Sequence, residues 1–170
     1  KLGAAVSTGF GHGQWWRAIA ANFLHFVSAH ILMNMLALRA IGPMVERNIG
    51  KRRYFIVYML AGIGAVVGAV EVMKHREPNS DDFLVGASGA IMGLIGAQLA
   101  ILLWGWTKDR ARIAGRNLQM LLLVVAVLVV FDHMMPQVSG TAHLIGMGCG
   151  FVLTLGVVLI MPRRQRHFEM

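Results

Sequence analysis

A few side chains able to do acyl-transfer chemistry sit inside stretches otherwise made of apolar residues. Ser88 lies in Gly86-Ala87-Ser88-Gly89. His30 and Asn34 are four residues apart, so they project from one face of a helix. His143 precedes Gly146 and Gly150 by three and seven residues, again one face. A serine beside an imidazole is a nucleophile with its base: the ring takes the hydroxyl proton as the oxygen attacks a carbonyl. Asn and His side chains, together with the nucleophile's own amide, suit the developing oxyanion, and one such donor contributes a few kcal/mol to lowering the barrier. No carboxylate accompanies Ser88 or His143 in its own apolar run, and Asp132 is the nearest in sequence as an orienting group. The chemistry expected is therefore that of a Ser–His dyad rather than a triad.

The elements that must hold these groups read as membrane-spanning helices. Of 170 residues, 56% are hydrophobic and only 14% charged, and the mean hydropathy is +0.62. Five apolar runs, at about 26–45, 54–73, 84–106, 117–135 and 141–161, each approach the ~20 residues that cross the hydrocarbon core. None alternates as a strand, and a lone spanning segment must satisfy its backbone internally, so the runs are helices. The expected class is an all-α, polytopic membrane protein. Residues 1–25 read as a polar loop with an amphipathic piece at Trp15-Trp16, suited to the bilayer interface.

The net charge of +8 does not point to nucleic acid, because the basic residues cluster between apolar runs rather than on one face. Glu46, Arg47, Lys51, Arg52 and Arg53 follow the first run; Lys108, Asp109, Arg110, Arg112 and Arg116 follow the third; Arg163, Arg164 and Arg166 close the chain. The other connections are poor in net positive charge. Basic loops alternate with neutral or acidic ones, which places the basic ones and the 162–170 tail in the cytoplasm and residues 1–25 outside. A chain that starts inside then needs one more helix before Lys1, six in all.

That topology fixes depth. Entering from outside, Ser88 and His30 lie about four residues in, Asn34 about eight and His143 about two. At ~1.5 Å per residue all four fall in the outer ~12 Å of the bilayer core. Gly89, Gly93, Gly96 and Ala100 line one face of the third span, and Gly146 and Gly150 line one face of the fifth. Small faces let membrane helices approach closely, so these two faces are expected to meet and bring His143 to Ser88.

The set His30-x-x-x-Asn34, Gly86-Ala87-Ser88-Gly89 and Ala142-His143-x-x-Gly146-x-x-x-Gly150, in that order, resembles the rhomboid intramembrane serine proteases. Trp16-Arg17 resembles the family's signature in its first outer loop, His25 the histidine preceding its second helix, and Glu46-Arg47-x-x-Gly50 the segment after it. The resemblance covers nearly the whole chain as one domain. It implies a rhomboid-like bundle in which these spans are helices two to six of a six-helix core. It implies Ser88 as nucleophile, His143 as general base, and His30 and Asn34 as oxyanion partners, supported by Gly86, Gly89, Gly146 and Gly150. Met92 stands where the family often has an aromatic packed on the catalytic histidine. Implied partners are the bilayer and single-pass or multi-pass membrane proteins, cut near the outer face at small or helix-breaking residues. The span at 117–135 and the loop before it are the expected moving parts. The setting expected is a bacterial inner membrane with the site on the extracytoplasmic side.

A catalytically silent relative that binds membrane clients is the competing reading. A metal site of His25, His30 and His143 has no His-Glu-x-x-His pattern or carboxylate to support it, and no cofactor is expected. A transporter would call for an inverted repeat or a charged midplane pathway, and neither is visible. Other polar residues have plainer roles: His25 as a structural or loop hydrogen-bonding residue, Gln98 paired within the bundle, Cys149 as packing.

Overall fold

A computed structural model describes residues 3–6, 12–76, 83–108, 112–134 and 139–161, with the side chains of 131–134 left aside. The apolar runs form five helices: α2 (Ser28–Ile49), α3 (Lys51–Arg76), α4 (Ser88–Thr107), α5 (Arg112–Met134) and α6 (Gly140–Ile160). Each is long and apolar enough to cross a membrane. Before them come a short strand β1 (Ala5–Val6), the single turn α1 (Arg17–Ala20) and a 3-10 turn at Ala21–Phe23. A second short strand, β2 (Phe83–Leu84), precedes α4 and pairs antiparallel with β1. The tail 162–170, the side chain of Asp132 and the charged residues at 77–82 and 109–111 lie outside the described residues.

α4 is the axis. Of its spanning window 72% is buried, against 17–39% for the other four helices. Residues 89–97 form an unbroken buried run, which only a helix surrounded on all sides can show. At the end away from Ser88, Val45 and Ile49 of α2, Val57 of α3, Leu94, Ala97 and Ile101 of α4 and Val158 of α6 form one core cluster. Gln98, deep in α4, directs its amide Nε2 to Met44 Sδ of α2 at 2.9 Å, the pairing within the bundle expected of it.

Three expectations need correction. First, residues 46–53 are not a loop. α2 runs on to Ile49 and α3 starts at Lys51, so Gly50 alone makes the turn, at φ +81°. The Gly50 amide donates to Glu46 O at 2.8 Å, closing the end of α2, and glycine takes the positive φ without steric cost. The charges mark where the helices leave the apolar zone, not where helix ends.

Second, the third span does not begin at 84. Phe83 and Leu84 are extended against β1, Gly86 takes φ +123°, and the helix opens at Ser88 itself. Ser88 is therefore the first residue of its helix, not four residues inside it.

Third, residues 1–25 are more than a polar loop. Ala5, Ala18 and Ala21 are buried against Val66 and Val70 of α3. Arg17 reaches back to donate to Ala4 O at 2.7 Å, and its guanidinium lies 5.0 Å from the Trp16 ring. Trp15 and Trp16 remain exposed, as residues set at a bilayer interface would be.

Candidate active site

Three helix N-termini meet at one end of the bundle. Ser88 is residue one of α4, His30 is the third residue of α2, and His143 is the fourth of α6. Alternate helices run in the same direction, so these ends lie together.

The seam between α4 and α6 fixes their register. It is the most extensive helix pairing among the described residues. A methyl group added at Gly146 would collide with the Gly89 carbonyl oxygen, and one at Gly150 with the Gly93 carbonyl oxygen. One at Gly89 would lie 3.8 Å from Ala142 O, and one at Gly93 3.3 Å from Gly146 O. Gly89 thus sits between Ala142 and Gly146, and Gly93 between Gly146 and Gly150. Stepping back one residue along both parallel helices puts Ser88 level with His143. Small residues permit this backbone contact, as the sequence pattern predicts. The same glycine stripe also meets α3: a methyl on Gly89 would stand 2.7 Å from the Ala65 Cβ.

The loop before Ser88 carries the α2 groups. A methyl on Gly86 would stand 2.7 Å from His30 Cε1, 2.8 Å from His30 Nε2 and 3.8 Å from Asn34 Nδ2. Only glycine, at this φ, lets the histidine ring and the asparagine amide come so near the backbone. Asn34 is 6% exposed, and its Nδ2 has no hydrogen-bond partner among the described residues. A buried, unfilled donor is costly, so its place beside the Ser88 loop calls for an acceptor there. His30 lies within electrostatic reach of both His25 and His143.

Ser88 is half-buried. Met92 is buried one turn further along α4. The first turn of any helix leaves backbone N–H groups without intrahelical partners, and its dipole favours negative charge. α4 therefore offers the Ser88 amide to whatever sits in front of the hydroxyl. On α6, Ser139 caps the helix: its Oγ accepts from Ala142 N at 3.2 Å, and the His143 amide bonds Ser139 O at 3.1 Å. The chain at His143 is thus held from the first turn.

The N-terminal segment supplies residues that the spacing of apolar runs does not announce. The Gly86 amide donates to Ala21 O at 2.8 Å, tying the Ser88 loop to the 3-10 turn. Asn22 is 3% exposed, donates from Nδ2 to Ala18 O at 2.7 Å, and packs its amide oxygen against Gly62 of α3. Its signal in the sequence is weak: one polar residue in Ala18-Ile19-Ala20-Ala21-Asn22. Asn22, His25 and Ala87 share a cavity of about 430 Å³ with Met35, Tyr54 and Tyr58. Cys149 packs toward Gly64 of α3, in keeping with its expected structural role.

Comparison with known proteins shows the family. The family model for the Rhomboid domain matches residues 12–160. The chain is 32% identical over 163 residues to RHOMBOID-like protein 5 of Arabidopsis thaliana, covering 96% of this chain and 50% of that protein. It is 30% identical over 150 residues to rhomboid protease GluP of Bacillus subtilis, covering 88% and 27%. To rhomboid protease AarA of Providencia stuartii it is 29% identical over 168 residues, covering 91% and 59%. The chain thus spans about half or less of the length of the first and second of these relatives. With its five membrane-crossing helices and a family match over most of its length, the chain belongs to the rhomboid family.

Proposed function

We propose that this chain is a serine endopeptidase that cuts peptide bonds in or beside the transmembrane segments of other membrane proteins. The observation that carries the proposal is the register of the glycine seam, which sets the first residue of α4 level with His143. In this reading Ser88 Oγ attacks the substrate carbonyl while His143 accepts its proton. The tetrahedral oxyanion is held by the Ser88 amide, Asn34 Nδ2 and the His30 ring. His143 then returns the proton to the departing amine, and water, activated in the same way, releases the acyl group from Ser88. Nucleophilic and general-base roles are found in groups that adjoin within hydrogen-bond reach, often loosened before substrate arrives.

A helical substrate hides its carbonyls in hydrogen bonds, so it must unwind before attack. Small or helix-breaking residues near the cut lower that cost. The alternation of basic helix ends supports a site facing the extracytoplasmic side, with water reaching Ser88 from there. The low burial of α5, 17% of its spanning window, supports lateral access for the substrate along that helix. Two protease-named relatives, GluP and AarA, support the activity itself.

The test uses the protein reconstituted in liposomes with a fluorescent single-pass peptide carrying a Gly-Ala pair near one end of its span. Ser88→Ala should abolish cleavage and labelling by a fluorophosphonate while leaving the thermal midpoint unchanged. Undiminished cleavage by that variant would remove Ser88 from the chemistry, and binding of the peptide without cleavage or labelling by the unaltered protein would leave the client-binding reading standing.

A further inference from the structure

We infer that His25 is a positioning residue that acts through His30; the inference rests on the proteolytic reading above. His25 lies between the 3-10 turn and α2, outside the proposed catalytic set. Its ring meets that of His30 edge to face, with centroids 4.9 Å apart and planes at 75°. His30 also stacks on Phe26, at 6.1 Å and 18°. The third neighbour is the Gly86 backbone, close enough that a methyl there would stand 2.7 Å from the ring. Phe26 is itself held by Phe83 of β2, centroids 5.2 Å apart. The His30 ring is thus bounded by a stacked ring, a ring edge and a backbone. Of the three, only the His25 wedge can be withdrawn without moving the nucleophile's loop or the strand pair.

Both ring nitrogens of His25 are closed to solvent and have no hydrogen-bond partner among the described residues. Burying such groups costs free energy. As plain packing, a phenyl ring would serve stability better. The contact His25 makes is with a proposed oxyanion donor, and a donor must be held close to the productive geometry to be useful. The role assigned to His25 is therefore to fix the tilt of His30 through the shape of its ring.

Four variants test this, read by kcat and KM on the same fluorescent single-pass peptide in liposomes. His25→Ala should lower kcat roughly tenfold, less than the ~100-fold expected for losing an oxyanion donor outright, with KM unchanged. His25→Phe, which keeps the wedge and removes the orphaned nitrogens, should recover kcat to within about threefold and raise the thermal midpoint. His25→Ala combined with His30→Ala should be no slower than His30→Ala alone, because a residue that acts only through His30 has nothing left to act on. An extra tenfold loss in the double variant would overturn the inference, as would a folded His25→Phe protein as slow as His25→Ala. Ser88→Ala serves as the separate control: if it still cleaves, the proteolytic reading fails, whereas failure of the His25 role shows only in the cycle with His30.

Discussion

The α4–α6 seam and helix α5 are built from the same kind of apolar sequence and behave as opposites. Along the seam, Gly89, Gly93, Gly96, Gly146 and Gly150 bring two backbones together. At Gly96, Gly146 and Gly150 a carbonyl of the facing helix fills the space where a side chain would be, and at Gly89 and Gly93 an alanine methyl of α3 does. α5 carries Leu122, Leu123, Val124, Val127 and Val130, all exposed, and is held mainly where Ala114 and Leu118 meet Leu102 of α4. Without a hydrophobic force between helices in lipid, close packing is what binds them, and bulky residues that face lipid bind nothing. Dispersion falls steeply with a gap of even 0.5–1 Å, roughly a quarter to a half of the well. The lesson is that mean hydropathy does not separate a rigid helix from a loose one; side-chain size does. On the proposed reading, glycine fixes the register between Ser88 and His143, and valine and leucine line the wall along which a substrate would pass.

The comparison breaks most readily at the seam. Gly150→Ala places a methyl 2.5 Å from the Gly93 carbonyl carbon and 2.7 Å from its Cα. We expect a loss of about 3 kcal/mol, the upper end for overpacking, and parallel loss of cleavage and of fluorophosphonate labelling. Wild-type midpoint and activity in that variant would mean the helices slide past one another freely. Next in size is Leu118→Ala, at the anchor of α5, where Leu118 is 8% exposed. It should cost about 2–3 kcal/mol of local stability and speed amide exchange through 112–134, with labelling of Ser88 retained. Faster exchange in α6 as well would show the two regions to be one unit. The smallest effect is expected for Val127→Ala, at 62% exposure. Stability should change by no more than about 0.5 kcal/mol, and cleavage should hold. A cost equal to that of Leu118→Ala would place a packing partner on the outer half of α5.

The sequence carries the spans because length and hydropathy are local properties, and it carries the seam because glycines at i and i+4 mark a face without reference to anything else. Loop charge and residue counting put His30, Asn34, Ser88 and His143 at one expected depth but miscount Ser88, which opens α4 instead of lying four residues inside it. What escaped is tertiary. The start of α4 at Ser88 depends on β1 pairing with β2 across almost eighty residues, and on the Ala21 carbonyl meeting the Gly86 amide. No window around residue 84 contains those partners, so the apolar run reads straight through. Asn22 escaped for the same reason: its burial is decided by Gly62, forty positions away. The helical continuity at 46–53 was hidden by its charges, which look like a loop and are the ends of two helices.

The one-residue junction at Gly50 bears on how the protein is made. α2 is the least apolar of the five spans, with a hydropathy of 1.2, while α3 reaches 2.1. A segment carrying His30, Asn34 and Arg39 is a poor candidate for lipid by itself. Joined to α3 with no slack, it is expected to insert as the first arm of a hairpin whose second, more apolar arm supplies the drive. Lengthening that junction with a flexible linker would uncouple the two arms and leave α2 to partition alone.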